Sequence, residues 1–126
     1  MNVYNDGQAK NTKDMFSVFY SIVSNKSDGI PNSRFLKIHY SKIEAILLFG
    51  YSVRKLSEIL TENGFIINAK TLKTELFRIR KKLGKKSIRE QHDEILFSVN
   101  WNYDAFNEKI LNIFNTPLQP YRKYDE

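Results

Sequence analysis

The chain has 126 residues, no cysteine and a formal net charge of +6 at pH 7. This length suits one compact domain, and a hydrophobic content of 41% is enough to close a core. The lack of cysteine excludes disulfides, thiolate metal sites and cysteine nucleophiles. Residues 1–13 lack the apolar core of a signal peptide, and no apolar run approaches the ~18 residues that cross a bilayer. We therefore expect a cytoplasmic protein that does not insert into a membrane.

The composition favours a mainly α fold. Aromatic residues make up 13% of the chain, whereas the counts of five Gly and three Pro are low for a β-sandwich. The first predicted helix runs from Thr12, as its cap, to Val23. We expect residues 1–11 to be disordered. The apolar face of this helix is formed by Met15, Phe16, Phe19, Ile22 and Val23.

The next segments lead into the basic part of the chain. Residues 24–33 are the clearest predicted loop, and residues 34–39 fit either a short strand or an early helical turn. Ser41 and Glu44 match the capping-box pattern, which predicts a helix start at Ser41. Gly50 is placed to end this helix with a positive φ, since glycine adopts that conformation without steric cost.

Two further helices are predicted in the centre of the chain. Ser52 is expected to cap a short helix that stops at Asn63 and Gly64, and Asn68 to cap the next one. The apolar positions of the short helix are Val53, Leu56, Ile59 and Leu60. Those of the longer helix, spaced by 4, 3 and 4 residues, are Leu72, Leu76, Ile79 and Leu83. This spacing turns outward Lys70, Thr74, Phe77, Arg78 and Lys81.

Two segments follow the basic region. Residues 103–114 are predicted to be a helix with Tyr103, Phe106, Ile110 and Phe114 on one side. Residues 88–99 form the other segment, and the stretch from Ile95 to Trp101 is compatible with a strand instead. Residues 116–126 are expected to be a mobile tail.

The positive charge is concentrated in the middle of the chain. Between Arg34 and Arg89 there are fourteen Lys or Arg residues and four acids, a net charge of +10, whereas the other residues have six bases and ten acids, a net charge of −4. A basic unit between acidic flanks is typical of proteins that bind nucleic acid, because phosphate contacts dominate the affinity. A solvated helical face is the alternative meaning of such charge.

The three central helices have the proportions of a helix-turn-helix unit, in which a support helix and a short helix precede a basic reading helix. Its features are the aliphatic support helix, the entry at Gly50 to Ser52, the stretch from Leu56 to Leu60, Asn63 and Gly64 before Phe65, and the helix from Lys70 to Lys82 with Arg78 and Arg80. The whole segment reads IEAILLFGYSVRKLSEILTENGFIINAKTLKTELFRIRKK from Ile43 to Lys82. It resembles the helix-turn-helix regulators common on bacterial plasmids, phages and integrative elements.

The resemblance implies a regulator that reads the major groove of double-stranded DNA with the helix from Asn68 to Leu83. Residues near the start of that helix would reach bases, and later cations would contact phosphates. The flanking segments match no family pattern. The predicted DNA-binding residues are Ser52, Arg54, Asn68, Lys70, Thr71, Lys73, Thr74, Arg78, Arg80, Lys81, Lys82 and Lys85.

These assignments divide the chain into four parts: an arm with one helix at 1–33, the DNA-binding unit at 34–89, a helical segment at 90–116 and a tail at 117–126.

Phe77 is large and apolar on the outward face. We expect it to pack against the N- or C-terminal segment, with contact to a thymine methyl group as the alternative. We predict neither an enzyme nor a metal or cofactor site, since His39 and His92 lie apart from any suitable acidic cluster.

Three alternatives stay open at this point. The DNA-binding protein is either a transcriptional regulator of a mobile element or an accessory factor for plasmid transfer or partition. A third possibility is a protein-binding adaptor that uses the apolar faces around Phe16, Phe19, Phe106 and Phe114 while the basic helix is merely solvated. A homodimer is expected to form through residues 88–114, unless the helix at 12–23 covers their apolar side chains within one chain.

Overall fold

The computed structural model describes residues 7–26 and 30–116. These residues form seven helices, and the described ranges contain no strand, so the predicted mainly α fold is confirmed. The predicted tail at 117–126 and the first six residues of the predicted disordered arm lie outside the described residues. The helices are α1 (Asp14–Ser24), α2 (Asn32–Ile38), α3 (Tyr40–Leu48), α4 (Val53–Glu62), α5 (Ala69–Lys82), α6 (Ile88–Ser98) and α7 (Tyr103–Phe114).

Helix α3 lies at the centre of the fold. Nearly all of its side chains are buried, including those of Lys42 and Glu44, which are each only 1% exposed. It packs most extensively on α7 and also contacts α1, α2 and α6. A helix buried on all sides is typical of the middle of a core. One continuous hydrophobic core therefore extends from Ala9 to Phe114.

The N-terminal part of the chain is more ordered than predicted. Helix α1 begins at Asp14 without a side-chain cap, so the predicted cap at Thr12 is wrong. Residues 7–11 are fastened to the end of α7, because the Asn115 side chain accepts from the Ala9 N–H (2.7 Å) and donates to the Ala9 carbonyl (2.8 Å). These two hydrogen bonds to the buried residue Ala9 offset the conformational entropy that is lost when residues 7–11 become ordered.

The junction of α2 and α3 confirms the helical alternative for residues 34–38 and contradicts the predicted helix start at Ser41. Residues 32–38 are helical, which excludes the strand alternative for residues 34–39. The predicted capping box at Ser41 is wrong, because α3 already begins at Tyr40 and the backbone carbonyl of His39 accepts from the N–H groups of Lys42 and Ile43. The Glu44 side chain faces inward and does not turn back to the helix start.

The predicted caps of α4 and α5 are confirmed. The Ser52 hydroxyl accepts from the Lys55 N–H at 3.0 Å, and the Asn68 side chain accepts from the Thr71 N–H at 2.8 Å. Gly50 has a φ of 122° after α3, as predicted. The buried face of α5 is formed by Leu72, Leu76 and Ile79. Leu83 is 56% exposed, contrary to expectation, because α5 ends at Lys82 and the chain turns away at Gly84.

Residues 88–114 form two helices, α6 and α7, which contact each other and are joined by a tight turn. Helix α6 begins with a capping box formed by Ser87 and Glu90 and runs to Ser98, so the strand alternative for residues 95–101 is wrong. The turn contains two consecutive residues with positive φ, Asn100 (56°) and Trp101 (62°). On α7 the side chains of Phe106, Ile110 and Phe114 are buried.

Helices α4 and α5 pack on each other, and α5 also packs on α2. The connection between α4 and α5 is short, so their relative orientation is set by a few contacts described below. The prediction that α3, α4 and α5 form a trihelical unit stays a prediction, since α3 packs mainly on α7.

Candidate nucleic-acid interface

The outward face of α5 is the most strongly basic surface of the central helices. The helix carries six Lys or Arg residues and one acid, Glu75. Because Leu72, Leu76 and Ile79 fix its inner face, the polar residues between them are held outward. Seven predicted DNA-binding residues are exposed together on this helix: Lys70, Thr71, Lys73, Thr74, Arg78, Lys81 and Lys82. Ser52 and Arg54 are exposed at the start of α4.

The connection from α4 to α5 is held by side-chain bonds. The Thr61 hydroxyl donates to the Ile67 carbonyl (3.0 Å) and accepts from the Ile67 N–H (3.2 Å). The Phe65 side chain is 1% exposed and stacks against Phe35 of α2 with a centroid separation of 5.2 Å. The Thr61 bonds hold the connection at the surface, and the Phe65 ring anchors its middle in the core. The start of α5 is therefore presented in a fixed orientation, as a reading helix requires.

Four of the predicted DNA-binding cations have partners within the fold. Arg80 donates from Nε to the Tyr40 hydroxyl at 3.2 Å, and Lys85 lies 3.1 Å from the carboxylate of Glu44. Burial of Tyr40 and the neighbouring Glu44 raise the pKa of its phenol. Arg78 lies 3.5 Å from Glu75 but is still 70% exposed. The exposed Arg54 lies 3.9 Å from Glu58 on the same helix. No local pattern predicts the first two pairs, because their members are 40 and 41 residues apart.

Other cations on α5 have no acidic partner among the described residues. Within residues 7–26 and 30–116, Lys70, Lys73 and Lys82 form no ion pair. Lys81 places its ammonium group 5.9 Å from the centroid of the Phe77 ring. The Phe77 side chain is 58% exposed, so the expected packing of this ring against a terminal segment is wrong for the part of the chain that the structure describes.

A groove on the other side of α5 has the opposite charge. It has a volume of about 690 Å³ and lies between α2, α4 and α5. Glu58, Glu62 and Glu75 line it, together with Asn68 and Thr71. Glu58 pairs with Arg54 and Lys55, and Glu75 pairs with Arg78, which reduces the negative charge of the groove. No Lys or Arg side chain among the described residues lines it, so it does not attract phosphate. Asn68 and Thr71, two of the predicted DNA-binding residues, thus line the acidic groove. The side of α5 that carries Lys70 and Lys81 is better suited electrostatically to a polyanion.

The two histidines have different surroundings. His39 is largely buried, and its pKa is lowered to about 4 by burial and by the neighbouring charge of Lys42. His92 packs edge-on against Phe106 with a centroid distance of 5.1 Å. Among the described residues there is no group of three His, Asp or Glu side chains placed to hold a metal ion. Among the helices of the described residues, the longest, α5, has 14 residues. None of these helices is long and apolar enough to cross a bilayer.

Comparison with known protein families, with curated proteins and with solved structures finds no match to this chain. The interpretation of the basic surface therefore depends on the geometry and charge of this chain alone.

Proposed function

We propose that this protein binds double-stranded DNA by placing the outward face of α5 in the major groove. The observation that carries this proposal is the exposed cationic stripe of Lys70, Arg78 and Lys81 on a helix whose opposite face is locked in the core. A major groove about 12 Å wide admits one α-helix, and cations on it replace the counterions of the phosphates.

The order of side chains along α5 supports two kinds of contact. Lys73 and Thr74 lie in the second turn, close to the capped start of the helix, where side chains reach base edges. Arg78, Lys81 and Lys82 lie further along, where phosphates come nearer. The helix pair α4 and α5 then acts as the helix-turn-helix, and a transcriptional regulator of a mobile element is the role we favour. An accessory factor for plasmid transfer or partition would use the same contacts.

The packing of the apolar rings counts against the protein-binding adaptor. That alternative needs the faces around Phe16, Phe19, Phe106 and Phe114 to be open. The last three side chains are buried in the core of their own chain, and Phe16 packs on Tyr51 with a centroid distance of 4.4 Å. These rings therefore offer no docking surface, whereas the basic face of α5 is open.

We further propose that the protein acts as a homodimer in the cytoplasm, since two half-sites provide more specificity than one small module. Most of the apolar side chains at 88–114 are covered within the chain by α3 and its neighbours. Those left exposed are aromatic: Phe97 at 79%, Trp101 at 57% and Tyr103 at 64%. We place the dimer contact on this aromatic surface, defined by Phe97, Trp101 and Tyr103.

Titrating salt against the binding of a random labelled duplex tests the proposed function. Fluorescence anisotropy across ~50 to 200 mM KCl should show log K falling linearly with log salt, with a slope of about −0.9 per neutralised phosphate. Selection from a random duplex pool should then yield a preferred sequence. The proposal fails if no duplex binds at 50 mM salt, or if binding does not depend on salt.

A further inference from the structure

Phe77 is an exposed apolar side chain in the middle of a cationic surface. Its ring is 58% exposed and points away from the face formed by Leu72, Leu76 and Ile79. On a helix its neighbours at i−4, i−3, i+1 and i+4 are Lys73, Thr74, Arg78 and Lys81, all of them exposed.

The surrounding charge limits what can cover this ring. A second copy would bring the same cations of α5 against one another, which is unfavourable. A neutral apolar partner would have to strip water from Lys73, Arg78 and Lys81 without pairing them, which is costlier still. Duplex DNA avoids both costs, because its phosphates pair with the cations. It also offers an apolar group to the ring, since the C5-methyl group of thymine is the apolar group of the major groove.

The position of Phe77 on α5 supports this assignment. Lys70, Thr74, Phe77 and Lys81 form one stripe along the helix, at spacings of four, three and four residues. Phe77 lies three residues after Thr74, an axial rise of about 4.5 Å, whereas base pairs are stacked about 3.4 Å apart. A helix lying along the groove would thus place the ring one or two base pairs from the base that Thr74 contacts.

We propose that Phe77 packs on the C5-methyl group of a thymine and so determines a preference for thymine at one position of the DNA site. This inference rests on the proposed DNA-binding function. It adds a specificity-determining residue that reads an apolar feature, whereas Arg78 and Lys81 beside it contact only phosphate charge.

Replacing single thymines with deoxyuridine tests the contact, because this change removes the methyl group and nothing else. In the preferred duplex from the random pool, each thymine is replaced in turn and the Kd is measured for the wild type, Phe77→Ala and Phe77→Leu. At one position the wild type should lose about fourfold in affinity, the worth of one buried methyl group. Phe77→Ala should bind the thymine and deoxyuridine duplexes equally, and Phe77→Leu should keep part of the difference.

The possible failures are distinguishable. The role of Phe77 is overturned, with DNA binding intact, if the preferred sequence shows no thymine dependence. It is also overturned if the deoxyuridine effect has the same size in the wild type and in Phe77→Ala. A lower oligomer mass for Phe77→Ala with unchanged thymine preference also overturns it, since the ring would then contact protein. If the wild type binds no duplex, the proposed function itself is wrong. Thermal unfolding controls for folding, and neither substitution at this exposed site should lower Tm appreciably.

Discussion

The ammonium group of Lys85 lies 3.1 Å from a carboxylate oxygen of Glu44, a side chain that is only 2% exposed. The pair joins the segment after α5 to the central helix α3. The second carboxylate oxygen of Glu44 has no hydrogen-bond partner within the described residues. Lys85 is therefore the principal charge that stabilises a buried anion, and its first role is structural even if its exposed part also faces DNA.

Replacing Lys85 with Ala should destabilise the fold by about 1 to 2 kcal/mol. Breaking a fully buried ion pair costs about 3 to 5 kcal/mol, and we expect less here because 42% of the Lys85 side chain is exposed to water. Lys86→Ala is the matched control, since it removes the same charge from a neighbouring position whose partner, Glu94, is itself 57% exposed. Urea unfolding measures the free energy of unfolding of both variants. Equal stability of the two variants would show that the Glu44 pair contributes nothing.

His39 should make the fold sensitive to acid. Its pKa is lowered to about 4 in the folded protein, against about 6.5 when unfolded, because burial and Lys42 disfavour its charged form. The unfolded chain thus binds the proton first as the pH falls. The contribution of His39 to the free energy of unfolding is therefore fully present above pH 6.5. It is lost as the pH falls to about 4, and the total loss is about 3 kcal/mol. Urea unfolding at pH 7, 5.5 and 4.5 measures it.

The control for this prediction is His39→Gln, which cannot titrate in that range. Because carboxylates also titrate near pH 4, the relevant quantity is the difference between the wild type and the variant at each pH. The wild type should lose stability faster than His39→Gln between pH 6.5 and pH 4. Parallel curves for the two proteins would contradict the lowered pKa.

The features of this chain that sequence predicts well depend on near neighbours. Ser52 and Asn68 cap their helices because each side-chain oxygen needs only the N–H three residues later. The inner face of α5 follows from its own spacing of Leu72, Leu76 and Ile79. Those features place the candidate surface, which is why most of the outward residues of α5 are exposed as predicted.

The errors come from contacts between distant parts of the chain. Glu44 has the right spacing from Ser41 for a capping box, but it turns inward to meet Lys85. Lys42 is buried because its ammonium group donates to the Phe114 carbonyl at 2.8 Å and lies 4.5 Å from the centroid of the Phe114 ring. Those partners are 41 and 72 residues away, so no local pattern indicates them.

Lys73 and Thr74 should determine sequence preference. Replacing both with Ala should relax the preference at particular positions of the selected site, at a cost of about 1 to 3 kcal/mol per lost base contact. The comparison variant is Arg78→Ala, which should weaken binding to all duplexes by a similar factor because it contacts phosphate. Competition between selected and scrambled duplexes measures the ratio. An equal loss on both duplexes for Lys73 and Thr74 would reassign them to phosphates.

The aromatic surface formed by Phe97, Trp101 and Tyr103 should hold the dimer together. Trp101→Gly is the informative variant, because Trp101 has a φ of 62° and glycine accepts that conformation without strain. We expect light scattering at micromolar concentration to give twice the chain mass of 14.9 kDa for the wild type and a single chain for the variant. Tyr20→Ser, on α1, should stay dimeric. A monomeric wild type would contradict the dimer.

The central claim is that the outward face of α5 contacts DNA, and a comparison of two charge-matched double variants tests it most directly. Arg78→Ala with Lys81→Ala removes two cations from this face, whereas Lys13→Ala with Lys109→Ala removes two exposed cations from α7 and the start of α1. Measured by salt titration on one duplex, the first pair should flatten the slope of log K against log salt by about two units. The second pair should leave the slope unchanged. Equal slopes for the two variants would contradict the account, because the loss would then follow net charge and not the position of α5.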